Sequence, residues 1–227
     1  MGIKNYIGKL RNKFVSTKRA KFNAAKRKKL KNFNPTIISI NCIGSIIYHN
    51  LGLRFNSPTI NLFMKQSDYI KFLDNLTEFL SENVELNQIF IDGYDYPIGE
   101  LKNGKLSVTL YFMHYKTFED AKLKWMERSK RINFDNLFII WEYQDRFGPD
   151  QELWEKFKAL KYKNKVLITG KDCPIDDDVF KMNIYDSKYV PGKILEYRRG
   201  LYFYKRYLDK FDYVKFLNKN TNGENNV

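Results

Sequence analysis

The sequence lacks the signals that mark several classes of protein. It contains two cysteines, Cys42 and Cys173, which form neither a disulfide framework nor a zinc-binding pair of the C-x-x-C type. No uninterrupted apolar run approaches the ~20 residues that a transmembrane helix needs. No apolar segment followed by a small-residue cleavage site indicates a secretory signal peptide. We therefore expect a protein of a reducing, cytoplasmic compartment.

Motifs that identify common enzyme and binding classes are also missing. The sequence has no GxGxxG, P-loop, HExxH or GxSxG pattern. It shows no signature of a helix-turn-helix, an RRM or a zinc finger. Any site must therefore be sought among residues that the fold brings together.

The first 34 residues contain no acidic side chain. They hold twelve of the forty Lys and Arg residues, which leaves 28 basic against 26 acidic residues in the rest of the chain. This distribution predicts a basic arm over residues 1–34, one nearly neutral α/β domain over residues 35–217, and a disordered Asn-rich tail over residues 218–227.

Apolar residues of the arm recur at helical spacing, at Ile3, Tyr6, Ile7, Leu10 and Phe14. The pattern predicts a basic amphipathic helix, which suits an anionic membrane surface. Two alternatives are that the helix packs on the domain or on a partner protein, and that it binds nucleic acid. Nucleic acid is the least favoured partner because the domain itself adds almost no net positive charge.

Four short apolar runs predict buried strands at Thr36–Ile40, Leu106–Met113, Leu137–Trp141 and Lys165–Thr169. Helical patterns alternate with them, so we expect an α/β fold: a mostly parallel sheet with helices on both faces, in a Rossmann-like three-layer arrangement. Two lesser β elements are a short strand at Ile89–Ile91 and a hairpin at Asn103-Gly104, which would join residues 98–101 to residues 106–113.

Five helices are predicted after the arm, and the first of them ends at Gly52, a typical C-cap residue. Their expected ranges are residues 43–51, 67–80, 118 to about 131, 152–160 and 191–217.

The carboxyl ends of parallel strands meet at one edge of a sheet, where ligands commonly bind. If all the strong strands are parallel, this edge collects chemically useful residues from five separate places. They are Asn41-Cys42, Asp92, His114-Tyr115, residues 142–145 and residues 169–172.

Cys42 is a candidate nucleophile because it precedes a helix, and a helix N-terminus lowers a thiol pKa. The alternative is a small buried apolar residue. His114 is a candidate base at a strand end. His49 is a weaker catalytic candidate, since it would lie ~10 Å along the helix from Cys42, too far for a direct hydrogen bond.

Charged candidates for binding a substrate have equally plain alternatives. Arg128 and Arg131 would share a helix face and could clamp a phosphate or carboxylate, or form a solvated basic face. Asp92 with Asp95, and the run 176–178, could hold Mg²⁺ on a nucleotide-sugar, but solvated loop acids are the better interpretation. No metal-ligand set is predicted.

Several motifs together resemble a bacterial family called domain of unknown function 1919, often labelled exopolysaccharide-biosynthesis protein. The similar segments are residues 39–44, Tyr48-His49, residues 57–63, 96–99 and 112–115, and Trp125 with Arg128, residues 131–133 and Asn136. The resemblance covers roughly residues 35–170. It implies a role in surface-polysaccharide assembly, in the cytoplasm or on the inner membrane face, but it implies no particular reaction. The Asn-Cys element is also similar to one in acyltransferase-like proteins of polysaccharide loci.

The resembling positions supply the candidate substrate-binding residues: Asn41, Ser57, Asn61, Tyr115, Trp125, Arg128, Arg131 and Asn133. We expect a transferase acting on a sugar or lipid-linked sugar. Glycosyl transfer from a nucleotide-sugar, with or without Mg²⁺, is preferred, with His114 or an acid as base. Acyl transfer from a coenzyme A ester through Cys42 or His114 is the first alternative. A non-catalytic accessory protein is the second.

Overall fold

The structure is a computed structural model that describes residues 3–185 and 192–219, with side chains from Lys13 onward. The apolar residues predicted to form a stripe from Ile3 to Leu10 therefore have side chains outside the described part. The predicted disordered tail also lies outside it from residue 220 onward.

The described residues form seven helices and seven strands. The helices are α1 (Ile3–Lys29), α2 (Ile43–Leu51), α3 (Gln66–Asp74), α4 (Leu76–Phe79), α5 (Phe118–Ser129), α6 (Gln151–Ala159) and α7 (Tyr213–Leu217). The strands are β1 (Thr36–Ser39), β2 (Glu85–Ile89), β3 (Ile98–Asn103), β4 (Leu106–Tyr111), β5 (Leu137–Glu142), β6 (Lys165–Thr169) and β7 (Val179–Lys181).

A four-stranded parallel sheet forms the centre of the fold, in the order β1-β5-β6-β7. Every residue of β1, β5 and β6 is buried, as expected for strands covered on both faces. The mixed α/β class and three of the four strong strands are thus confirmed. The strand order proceeds in one direction through the described sheet, whereas a doubly wound sheet reverses its order at a switch point.

The strand predicted at residues 106–113 is present but does not belong to the parallel sheet, so this part of the prediction was wrong. Residues 106–111 form β4 of a separate antiparallel sheet, in the order β2-β3-β4. The predicted hairpin at Asn103-Gly104 is present, with Gly104 at φ 59°, and a hairpin forces its two strands to be antiparallel. The short strand predicted at Ile89–Ile91 lies earlier, at Glu85–Ile89, because its pairing partner is β3.

Two helix predictions also need correction. The helix predicted over 67–80 is two helices, α3 and α4, separated at Asn75. The helix predicted over 191–217 is absent from the described residues 192–212, which contain 3-10 turns at Lys193–Leu195, Gly200–Tyr202 and Tyr207–Lys210. Gly192 and Gly200 adopt positive φ there, a conformation that breaks a helix.

Each face of the parallel sheet has its own hydrophobic core. Ile38 and Ile139 face a core shared with α3, α4, α5, α6 and the antiparallel sheet. Ile37 and Phe138 face the other core, which α2 and the C-terminal segment close. Neighbouring strand residues alternate between the two cores, as the period of a strand requires.

The second half of α1 is packed on this domain. The Asp209 carboxylate pairs with both Arg19 and Lys26, and its side chain is 1% exposed. Asn23 donates to Asn50 of α2 over 3.1 Å. The polar contacts thus join the basic N-terminal helix to α2 and to the C-terminal segment.

No described helix combines the length and hydropathy that crossing a membrane would require.

We expect Asp209→Asn to lower the free energy of unfolding by about 3 kcal/mol, because it leaves two cations partly buried without their anion. Burial raises the pKa of Asp209, but Arg19 and Lys26 outweigh it and hold the pKa below 3.8. The paired form therefore stabilises the fold above pH 3.8, and this stabilisation disappears as pH falls through the folded-state pKa.

Urea denaturation of both proteins at neutral and acidic pH tests this expectation. The control Glu152→Gln breaks an exposed pair with Lys156 and should cost less than about 1 kcal/mol. Equal losses in the two variants would contradict a structural role for the Asp209 cluster.

Candidate active site at the carboxyl end of the parallel sheet

A cleft of about 670 Å³ opens where β1 and β5 end, beside the antiparallel sheet. Its walls come from six places in the chain: residues 40–42, residues 63–66, Tyr94 and Tyr96, Met113 and His114, Glu142 and Gln144, and Gly192 and Leu195. Of the five places predicted to gather at this edge, three line the cleft, through Asn41-Cys42, His114, and Glu142 with Gln144. Asp92 and residues 169–172 are not among its lining residues. His114 reaches the cleft from the end of the antiparallel strand β4.

Glu142 is the last residue of β5 and is only 1% exposed. The Asn41 side-chain amide donates to its Oε2 atom, since the parallel pairing of β1 with β5 sets the two residues side by side. The Tyr185 hydroxyl donates to Oε1 over 2.6 Å. Among the described residues, no basic side chain forms an ion pair with this carboxylate.

The surroundings of Glu142 make its ionised form less stable than that of a solvated carboxyl group. Burial raises the pKa of this carboxyl, while hydrogen bonds from Tyr185, Asn41 and Gln144 oppose the increase without cancelling it. Burial and the neighbouring carboxylate raise the pKa of Tyr185, so its hydroxyl keeps its proton and acts as the donor. A carboxyl group with a raised pKa is the type of group that enzymes use as a general acid or base.

Gln144 presents an unused acceptor at the cleft. A carboxylate only accepts hydrogen bonds, so Gln144 must use its Nε2 group to bond Glu142. Its Oε1 atom is buried and has no hydrogen-bond partner within the described part of the chain. Such an atom costs free energy unless a ligand or water donates to it, so the cleft is suited to a ligand with hydroxyl or amide groups.

Cys42 lines the cleft but is not an activated nucleophile. It occupies the N-cap position of α2, makes no side-chain capping bond, and is 8% exposed. Burial raises the pKa of the thiol to about 11, opposite to the lowering predicted from its place at a helix N-terminus. Desolvation of the thiolate outweighs the favourable helix dipole.

Aromatic rings form one wall of the cleft. Phe63 stacks on Tyr111 with ring centroids 4.4 Å apart, and Tyr94 contacts Tyr111 and Tyr96 at 5.1 and 5.5 Å. Tyr94 remains 39% exposed. The Lys65 ammonium lies 5.8 Å from the Tyr111 ring and adds a cation to this wall. Apolar ring faces beside buried polar groups are typical of ligand sites.

The two histidines are separated by the fold. His114 is exposed on the cleft wall. His49 is exposed in the last turn of α2, whereas the cleft lies at the first turn of that helix. The carbonyl oxygen of His49 accepts a hydrogen bond from the Gly52 backbone N–H. The structure therefore does not bring His49 to the cleft with Cys42 and His114.

The two predicted phosphate-binding arginines contact the protein itself and do not line the cleft. Arg128 donates to the Tyr115 hydroxyl over 2.6 Å, and Tyr115 donates to the carbonyl of Ile60. Arg131 lies beyond the end of α5, donates to the Phe55 carbonyl and pairs with Glu127. Their role in the structure is to hold the loop between α2 and α3.

Ser57 and Asn61 belong to that same loop. Ser57 is fully buried and bonds Thr59 within the loop. Asn61 adopts φ 63°, a left-handed conformation that asparagine tolerates, and its backbone N–H donates to Ser45. Residues 60 and 61 form a turn, and Phe63 makes one β-bridge to Tyr111.

Two further candidates lie away from the cleft. Trp125 is 2% exposed in the hydrophobic core against Phe72. Asn133 caps the 3-10 turn before β5 and therefore lies at the amino end of the sheet. The described residues contain no group of three or more His, Cys, Asp or Glu side chains arranged to hold a metal ion.

The polar centre of the cleft consists of Glu142 with Asn41, Gln144 and Tyr185. Of these four, only Asn41 was predicted from the sequence to be a site residue. Glu142 fell within the predicted edge but was not chosen as a site residue, and Tyr185 carried no signal at all. The sequence did offer one indication for Glu142, because it directly follows the apolar run Leu137–Trp141. Burying a charged side chain at the end of a buried strand costs free energy, which suggests a functional reason for its presence.

Comparison with known proteins identifies the family of this chain. A family model described as "Domain of unknown function (DUF1919)" matches residues 13–218. The chain belongs to the DUF1919 family. A Haemophilus influenzae protein described as an uncharacterized protein is 34% identical over 210 residues, which cover 91% of this chain and 96% of that protein.

The family match is wider than the resemblance found in residues 35–170. The DUF1919 match includes most of α1 and the C-terminal segment, which had been placed outside the resemblance. The contact of Arg19 with Asp209 joins these two outer parts within the matched region. The family unit therefore includes the basic helix as well as the sheet.

We expect Cys42 to react with iodoacetamide at neutral pH about 100-fold more slowly than a peptide cysteine, because a pKa near 11 leaves far less thiolate than the ordinary value of 9.0. Mass spectrometry of a Cys173→Ser variant isolates this site. The rate should rise steeply with pH. A neutral-pH rate equal to that of the peptide would show that the thiol is activated.

Proposed function

We propose that this DUF1919 protein is a glycosyltransferase of bacterial surface-polysaccharide assembly, with the cleft as its active site and Glu142 as its general base. The observation that carries the proposal is the buried Glu142 carboxyl, held by Asn41, Gln144 and Tyr185 with its pKa raised. The family resemblance to exopolysaccharide-associated proteins supports the choice of substrate class.

The cleft has features that suit a sugar. Tyr94, which is 39% exposed, and Phe63 line the cleft and offer an apolar surface for the C–H face of a sugar ring. The Gln144 Oε1 atom, which has no partner among the described residues, can accept from a sugar hydroxyl. Lys65 can contact the phosphates of an activated donor. In this proposal Lys65 takes the phosphate role that the sequence suggested for Arg128 and Arg131.

The proposed reaction uses the ionised form of Glu142. An acceptor hydroxyl oxygen attacks the anomeric carbon of the donor sugar, and Glu142 takes the hydroxyl proton. The bond between the anomeric carbon and the phosphate oxygen breaks, and the nucleoside diphosphate or lipid diphosphate leaves with the electron pair. A carboxylate destabilised by burial is a stronger base than one in water, which lowers the barrier for this proton transfer. His114 on the cleft wall can hydrogen-bond the substrate.

Acyl transfer through a cysteinyl intermediate is the less favoured alternative. At a pKa near 11, about one Cys42 in ten thousand is a thiolate at neutral pH. An acyl route would therefore have to use a substrate hydroxyl activated by His114 or Glu142. A non-catalytic role in polysaccharide assembly gives no use to the buried Glu142, which has no basic partner among the described residues.

We also propose that the protein acts peripherally at the cytoplasmic face of the membrane, where lipid-linked sugars are found. Residues 1–34 contain twelve basic side chains and no acidic one, which supports an anionic membrane surface as the partner.

A thermal-shift panel of nucleotide-sugars with and without Mg²⁺, coenzyme A and its acetyl ester tests the class of donor. We expect at least one nucleotide-sugar to raise the Tm. Glu142→Gln should keep that Tm shift but release nucleoside diphosphate from the donor at least about 100-fold more slowly, since general-base catalysis typically contributes that much.

Cys42→Ser is the matched control from the same cleft, and its release rate should remain near that of the wild type. Unchanged turnover in Glu142→Gln would exclude Glu142 as the base. Stabilisation by a coenzyme A species alone would favour acyl transfer, and a wholly silent panel that includes a lipid-linked donor would favour the accessory role.

A further inference from the structure

Two basic segments of the chain meet in the fold, although the residues in contact lie more than 180 positions apart in the sequence. Phe14 of α1 stacks on Phe203 with ring centroids 5.8 Å apart, and Phe22 contacts Tyr204 at 6.0 Å. Behind these rings, Asp209 pairs with Arg19 and Lys26. We call the outer side of this contact, from α1 residues 13–22 and the segment 197–205, the joint surface.

Apolar tips project from the joint surface into solvent. Leu201 is 88% exposed and Phe14 is 55% exposed, while Tyr202 and Tyr197 are 46% and 42% exposed. Leu201 lies in the 3-10 turn Gly200–Tyr202, in which Gly200 adopts a positive φ. A leucine side chain that is this exposed, next to other exposed apolar side chains, indicates a surface that binds a partner.

Cations surround these tips. The Lys18 ammonium lies 5.3 Å from the Phe14 ring, and the Lys205 ammonium lies 5.0 Å from the Tyr202 ring. The Arg198 guanidinium lies 4.6 Å from the same Tyr202 ring, and Arg199 is exposed beside it. Glu196 is an exposed acid next to the segment, whereas the Asp209 charge is neutralised by its buried pairs.

We propose that the joint surface docks on an anionic lipid bilayer, with Leu201 and Phe14 entering the headgroup region and the surrounding Lys and Arg contacting lipid phosphates. Basic residues around apolar tips are the combination that binds the membrane interface. Leu201 has no ring with which to stack on a base, so the most exposed tip has no use in nucleic-acid binding. The partner surface thus includes the C-terminal segment as well as the N-terminal helix.

The joint surface is continuous with the cleft wall. Leu195 lines the cleft, and Arg206 donates to the Leu195 carbonyl while its guanidinium lies 4.4 Å from the Tyr197 ring. Docking through residues 197–205 therefore holds the cleft close to the bilayer. If the proposed glycosyl transfer is correct, this position favours a sugar substrate carried on a membrane lipid.

Vesicle sedimentation of the full chain tests the surface directly. The vesicles contain phosphatidylglycerol and phosphatidylcholine in equal parts, or phosphatidylcholine alone. We expect binding to the anionic vesicles only, and a drop of roughly tenfold or more in Leu201→Asp, since a buried leucine contributes about 1.5–3 kcal/mol. Ile175→Asp is the matched control, because Ile175 is 90% exposed in a loop rich in aspartate, and its binding should stay within about twofold of wild type.

A second pair of variants separates charge from apolar contact. Arg199→Glu and Lys161→Glu change the net charge equally at exposed positions. The first should weaken binding by about tenfold and the second hardly at all, because attraction acts mainly within a Debye length of the lipid. All four variants should keep the wild-type Tm, since these side chains are outside the core.

Each failure has a distinct meaning. Failure of the wild-type protein to sediment with anionic vesicles would contradict both the proposed docking surface and the proposed membrane location. Equal binding by the wild type and Leu201→Asp would show that the C-terminal segment is not part of the membrane-binding surface. Tighter binding to duplex DNA than to anionic vesicles would overturn the choice of lipid. None of these results alters nucleotide-sugar binding in the cleft, which the thermal-shift panel reports separately.

Discussion

Strands β1 and β5 pair in parallel from Thr36 with Leu137 to Ser39 with Ile140, and the rest of the molecule is arranged around that pairing. Their side chains alternate between two separate hydrophobic cores, one closed by α3 to α6 and the other by α2 and the C-terminal segment. The same register sets Asn41 beside Glu142 where the strands end. One backbone ladder therefore determines both how the layers pack and where the polar centre of the cleft lies.

The polar centre depends on more distant parts of the chain as well. Tyr185 donates to Glu142 from beyond β7, and the aromatic wall comes from the antiparallel sheet and its neighbouring loop. Glu142 is thereby 1% exposed, while Gln144 Oε1 has no partner among the described residues. A destabilised charge beside such an acceptor is an arrangement suited to a hydroxyl-rich substrate.

Local sequence patterns predicted the fold where one interaction dominated. The runs that became β1, β5 and β6 are mostly apolar, which is typical of strands buried on both faces, and Gly52 caps α2 as expected. The run at 106–113 has the same composition, but its hairpin partner β3 assigns it to another sheet, and composition alone does not report partners. In the C-terminal segment, a stretch rich in Tyr and Phe was predicted to be one helix over residues 191–217, but Gly192 and Gly200 adopt positive φ there.

The site was predictable only in its position. Topology brought Asn41, Cys42 and His114 to the correct edge, yet the sign of the Cys42 pKa shift was predicted wrongly because burial around the thiol is a tertiary property. Arg128 and Trp125 show the opposite error, since motif residues that looked available for ligands are held by Tyr115 and the core. Side chains with partners inside the protein cannot be distinguished from free ones by spacing.

Direct titration of Glu142 tests whether it is a desolvated carboxyl with a raised pKa. Carbon-13 NMR of protein labelled at glutamate carboxyls, with the Glu142 resonance assigned by its loss in Glu142→Gln, reports the midpoint. We expect a midpoint above the ordinary glutamate value of 4.5. A midpoint at or below 4.5 would show a solvated or charge-paired carboxylate and would contradict the assignment of Glu142 as the base.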